Sequence, residues 1–124
     1  MSKVIFKKLE DPVYKRNIYL GIGDQGECLK KLYKATGTKN EPLDVEPGRI
    51  GMVWQVPNGA FYIWLGKFSS KPEDVDTLIH EVFHLVHSVL DCMGARLTNA
   101  SEEAYAYLAG YYTKQIVEIH KKNK

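Results

Sequence analysis

The stretch Leu78-Ile79-His80-Glu81-Val82-Phe83-His84-Leu85 constrains this chain most, because it joins the spacing His-Glu-x-x-His to an apolar pattern of helical period. A helix turns about 100° per residue, so side chains four apart lie within about 40° of each other, and His80 and His84 reach toward one point from one face. Two imidazoles so placed suit a zinc ion, which accepts nitrogen ligands readily. Glu81 is displaced sideways by one residue, where it holds a water in place of the metal and serves as the base. Paired histidines on an apolar helix also occur as ordinary core side chains. The zinc reading therefore depends on what the rest of the chain supplies.

The segment around the motif reads as a long helix. Ser70-Lys71-Pro72-Glu73 matches a capping box with proline in the first turn, where its missing N–H costs nothing. Val75, Leu78, Ile79, Val82, Phe83, Val86, Val89, Leu90 and Met93 form a wide apolar surface, the pattern of a helix buried on most sides, and Gly94 is its stop. Upstream, Val4-Ile5-Phe6 and residues 17–22 are β-type runs joined by a turn at Glu10-Asp11-Pro12. Cys28, Leu29, Leu32 and Tyr33 mark a first helix ending near Gly37. Gly21, Gly23 and Gly26 match the spacing of a dinucleotide-binding turn, but the next strands form a hairpin and the chain is too short for a doubly wound sheet, so a tight turn is expected there.

Residues 38–48 read as a long loop of the sort that borders active sites. Ile50 to Val56 and Ala60 to Phe68 are strongly β-forming, and Asn58-Gly59 predicts a two-residue hairpin between them. On that register Met52, Trp54 and Val56 share the helix-covering face with Phe61, Ile63 and Leu65. Asn99, with Glu102 three residues on, is the expected cap of a last helix running to about Ile119. The fold class expected is α+β: a small, mainly antiparallel sheet packed on a pair of helices, with one extra N-terminal helix.

A catalytic zinc needs three protein ligands and one open position. Glu103 is the expected third. It stands 19 positions after His84 on a separate helix, followed by Ala106 and Gly110, small residues that let two helices approach closely. If Glu102 serves as the capping residue, Glu103 is free, although two glutamates at a helix start also simply favour its positive end. His87 shares the face of His80 and His84, but seven residues place about 10 Å of helix between it and His80, so it belongs to the wall of the site or to ordinary packing. Asp91 lies one turn further and either orients His87 or faces solvent, and the Tyr107 hydroxyl is a weaker candidate for oxyanion stabilisation.

With 124 residues the chain is expected to form one domain spanning 1–124. A net charge of +2 and the absence of a long apolar run call for neither nucleic acid nor a membrane. Cys28 and Cys92 stand far apart without a Cys-x-x-Cys, and the N-terminus lacks a secretory core, which together imply reduced thiols and a cytoplasmic protein. The acceptor pattern Asn99-Ala100-Ser101 is then accidental.

His80-Glu81-x-x-His84 followed by Glu103-Ala104-Tyr105-Ala106 resembles the gluzincin branch of zinc metallopeptidases. The last half of the chain is also similar to small metallopeptidase-like proteins of bacteriophages and prophages. Metzincins need glycine at His87 and histidine at Leu90, three-histidine endoribonucleases also need histidine at Leu90, and the cysteine of peptide deformylases has only a loose echo at Cys28. The gluzincin resemblance implies Zn2+ held by His80, His84 and Glu103, Glu81 as general base in peptide-bond hydrolysis, and a minimal zincin core. It also implies an edge strand that holds extended peptide, for which Ala60 to Gly66 is the candidate. The alternative is a zincin-like binding module that captures a host protein or peptide with little or no turnover.

Overall fold

The computed structural model describes residues 4–38 and 48–123. It is an α+β structure with strands β1 (Ile5–Leu9), β2 (Ile18–Ile22), β3 (Gly51–Gln55) and β4 (Phe61–Leu65), and helices α1 (Gln25–Thr36), α2 (Pro72–Cys92) and α3 (Glu102–Lys122). Nearly all of the long loop expected at 38–48 lies outside the described residues. The four strands form one mixed sheet in the order β1-β2-β4-β3, antiparallel at its two outer ladders, as a mainly antiparallel sheet requires, and parallel between β2 and β4.

Helices cover both faces of the sheet. On one side Ile18, Leu20, Ile22, Phe61, Ile63 and Leu65 pack against the buried faces of α2 and α3. On the other, Tyr62, Trp64, Met52 and Val56 pack against Cys28 and Leu32 of α1. β4 is buried along its whole length because it is interior in the sheet and covered on both faces. Each aliphatic side chain so buried stabilises the fold by about 1.5–3 kcal/mol.

The β3–β4 turn departs from the two-residue hairpin. Val56 N donates to Ala60 O at 2.7 Å and Gly59 N to Val56 O at 2.8 Å, with Gly59 at φ 94°, so three residues make the loop. Proline explains the extra one: a two-residue loop would make Pro57 the closing partner of Ala60, and proline has no N–H for that ladder. The register becomes Met52↔Trp64 and Val53↔Ile63. Every side chain of β3 is thereby turned over relative to the expected arrangement, with Met52, Trp54 and Val56 facing α1, and Gly51 and Val53 facing α2.

α2 starts at Pro72 with Lys71 as N-cap, not with a Ser70–Glu73 box; Ser69 Oγ instead donates to the Asp74 carboxylate and accepts from Lys71 N. It buries one broad face, while Val75, Ile79 (52% exposed), Phe83 (49%) and Met93 stand outside the core, contrary to a helix buried on most sides. Gly94, at φ 79°, does end it, through Ala95 N to Leu90 O at 2.9 Å. α3 is capped at Ser101, not Asn99, and runs past Ile119 to Lys122. Tyr105, Leu108, Tyr112 and Ile116 form its buried stripe.

The two helices run antiparallel. Tyr105, early in α3, lies 6.4 Å (ring centroids) from His87, late in α2, and Val117 shares an apolar pocket with Val75 at the opposite end. Among the described residues no helix is long and apolar enough to cross a membrane. Both cysteines are free, Cys28 buried and Cys92 exposed.

Candidate functional site

α2 and the start of β3 build the site together. β3 runs beside α2 in the same direction, with Gly51 against Thr77 and Glu81 and with Gln55 Nε2 4.0 Å from Cys92 Sγ. Arg49, Gly51, Asp76, Thr77, His80 and Glu81 enclose most of a pocket of about 360 Å³, within the range of small-ligand sites.

His80 and His84 lie on the exposed side of α2 with their Nε2 atoms 3.1 Å apart. At that distance one imidazole N–H donates to the other's lone pair. Two nitrogens bound to one tetrahedral zinc stand about 3.3 Å apart, so the same rotamers also suit a shared cation. The pair fits two corners of a zinc site.

Glu81 differs from both histidines in being 7% exposed. It fits because β3 has a glycine opposite: a Cβ at Gly51 would lie 2.9 Å from Glu81 Cγ and 3.0 Å from its Oε2. Burial pushes the Glu81 carboxyl above the usual carboxylate range, and the positive charges of His80, His84 and Arg49 oppose that shift. This carboxyl borders the pocket, where a bound ligand can meet it.

Glu103 is not brought to this place. It is exposed in the first turn of α3, two residues before Tyr105, while His84 lies three residues before His87. Since the helices are antiparallel, Glu103 and His84 diverge along the axis by roughly 7–8 Å. The reason is register: Tyr105 and Leu108 seat α3 on α2 so that later turns of α3, not its first, pass the histidine pair. Among the described residues no three His, Cys, Asp or Glu side chains converge closely enough to hold one metal ion. Glu102 is exposed in that same first turn.

The remaining candidates are placed as follows. His87 packs by Phe83 and Tyr105 at 6.5 and 6.4 Å between ring centroids and does not line the pocket. Asp91 is exposed, and among the described residues no side-chain hydrogen bond joins it to His87. Tyr107 is 54% exposed and packs by Tyr111. The strand expected to hold peptide, Ala60 to Gly66, is interior: both edges of β4 are taken, by β2 and β3. Among the described residues the unpaired edge beside α2 is that of β3. Gly66 N donates to Ile50 O, which makes Gly51↔Leu65 a non-hydrogen-bonded pair, so the backbone N–H and C=O of Gly51 and Val53 point to that open edge.

Arg49, Gly51 and Asp76 went unnoticed in the sequence. Asp76 had a signal, standing one turn before His80. Arg49 and Gly51 had none, because their place depends on the hairpin register. The Gly-x-Gly-x-x-Gly turn is structural: Gly21 makes room for Tyr62 and Cys28, and Gly23 O accepts from Trp64 Nε1 at 2.9 Å.

Comparison of the chain with models of protein families, with curated proteins and with solved structures found no match.

Proposed function

We propose that this chain is a zinc-dependent hydrolase of peptide bonds, with His80 and His84 as metal ligands and Glu81 as general base. The observation that carries the reading is the junction of α2 with β3, where an imidazole pair 3.1 Å apart adjoins a buried carboxyl at a pocket. His80 and His84 would hold zinc by two of the three protein ligands a catalytic site uses, no third converging among the described residues, and the metal would supply a Lewis acid there. Glu81 accepts a proton from the water that adds to the peptide carbonyl and passes it to the leaving amine. Its burial against Gly51 fixes the carboxylate and raises its affinity for that proton.

A zincin-like arrangement is part of the proposal: extended peptide lies along β3, pairing with the outward N–H of Gly51 and the N–H and C=O of Val53 while Arg49 Nε engages the Gly51 C=O, with its scissile bond toward α2. This corrects the strand to Gly51–Gln55 and leaves the chemistry unchanged. The position of Glu103 favours a second reading, in which the same groove captures a peptide without efficient turnover, because two protein ligands hold zinc less firmly than three.

Incubation of the zinc-supplemented protein with a mixture of defined peptides, read by mass spectrometry, separates the two. The hydrolase reading predicts new peptide termini that vanish with chelator. Peptide retention without cleavage, indifferent to chelator, supports the binding module.

A further inference from the structure

Arg49 is the cation of the pocket, and the reaction proposed above leaves its terminal nitrogens without a task. Its Nε donates to Gly51 O at 3.1 Å, which holds the guanidinium at the mouth of the pocket shared by His80 and Glu81. That bond uses one of five N–H donors and leaves the four on Nη1 and Nη2. Two carboxylates line the same pocket, Asp76 and Glu81, yet among the described residues neither comes within ion-pair distance of Arg49. Glu81 is turned toward Gly51 and Thr77. Among the described residues the Arg49 side chain is thus fixed at its Nε and without a partner at its fork, on the strand edge where extended peptide would lie.

We infer that Arg49 anchors a carboxylate of the substrate, so that the pocket selects peptides carrying a negative charge next to the segment that lies on β3. A guanidinium fork matches a carboxylate with two parallel N–H···O bonds, and lysine does not reproduce that geometry. The carboxylate has two sources, the C-terminus of a peptide or an acidic side chain within it. Arg49 is a specificity residue here: it grips substrate and moves no proton. The inference rests on the proposed peptide groove, but its test is a binding measurement that requires no turnover.

Four labelled pentapeptides serve as probes for the full-length protein: penta-alanine with a free C-terminal carboxylate, its amide, an amidated peptide with a central glutamate, and the glutamine equivalent. Fluorescence anisotropy against the wild type, Arg49→Met and Arg49→Lys reads the affinities, and circular dichroism checks that the variants fold. One or both charged peptides are expected to bind about tenfold or more tighter than their neutral partners, as charge-assisted hydrogen bonds do. Arg49→Met should erase that preference and Arg49→Lys restore only part of it. Preference for the free terminus identifies a C-terminal anchor; preference for glutamate identifies a side-chain anchor. Equal binding of all four peptides, a preference that survives Arg49→Met, or no binding of any probe overturns the inference. Loss of hydrolysis in Glu81→Gln with the charge preference intact would bear on the base alone. Charge preference with no hydrolysis by the wild type would remove the enzyme and keep the anchor.

Discussion

Two glycines carve space for polar side chains in this sheet, with opposite consequences. At Gly21 of β2 an added Cβ would lie 2.9 Å from the Tyr62 hydroxyl and 3.0 Å from the Cys28 sulfur; at Gly51 of β3 it would lie 2.9 Å from Glu81 Cγ. Burial raises the affinity for the proton at all three groups, taking the Cys28 thiol to about 11. Cys28 and Tyr62 are sealed between sheet and α1, whereas Glu81 borders a pocket of about 360 Å³ at the sheet's open edge. A proton-binding group buried against a sheet becomes a reagent only where substrate reaches it. On the proposed function, the same packing device is inert in the middle of the sheet and useful at its rim.

Glu81→Gln tests the reactive side of this contrast with the largest effect. Peptide cleavage should fall by about 10²–10⁴-fold, the usual contribution of a general base, with the fold and the histidine pair intact. Undiminished cleavage by the variant would refute the role of Glu81.

The glycines themselves come next. Gly21→Ala should destabilise the protein by about 2–3 kcal/mol in urea denaturation, because its neighbours are enclosed. Gly51→Ala should cost only about 1 kcal/mol, since the Glu81 side chain can swing toward the pocket, but it should lower any cleavage with it. Equal losses of stability would break the comparison.

Alkaline pH sharpens the sealed side. The folded-state pKa of Cys28 lies above its ordinary value of 9.0, so the stability that burial of the neutral thiol contributes is complete below pH 9 and is lost as pH rises through about 11. Two pKa units correspond to about 2.7 kcal/mol, an upper bound here, and Cys28→Ala should flatten the fall in stability over that window relative to the wild type. A fall of the same slope in the variant would show that other groups cause it.

The smallest effect is expected at Glu103. Exposed in the first turn of α3, it should yield to glutamine with a change in stability within about 0.5 kcal/mol and little change in zinc affinity. A large loss of zinc would mean that α3 shifts to bring this carboxylate to the pair.

Much of the framework was legible in the sequence, because long periodic helices and β-branched runs declare themselves locally. The Leu78–Leu90 pattern, the αL stop at Gly94 and the end of α1 at Gly37 are of this kind. The failures share one cause, which is that position across the fold is set by register. Pro57 lengthens the hairpin by a single residue, and that residue turns Gly51 toward Glu81 and Met52 away from it. Similarly, the spacing from His84 to Glu103 says how much chain separates them but not which turn of α3 meets α2. Of the candidate site, the local pair His80–His84 and its neighbour Glu81 could be read directly; Arg49 and the β3 edge could not.

The zinc content of the purified protein, measured by elemental analysis after equilibrium dialysis, tests the account at its centre. It predicts about one zinc per chain in the wild type and in Glu81→Gln, and none above background in the His80→Ala, His84→Ala double variant. No zinc in the wild type, or equal zinc in the double variant, would contradict it.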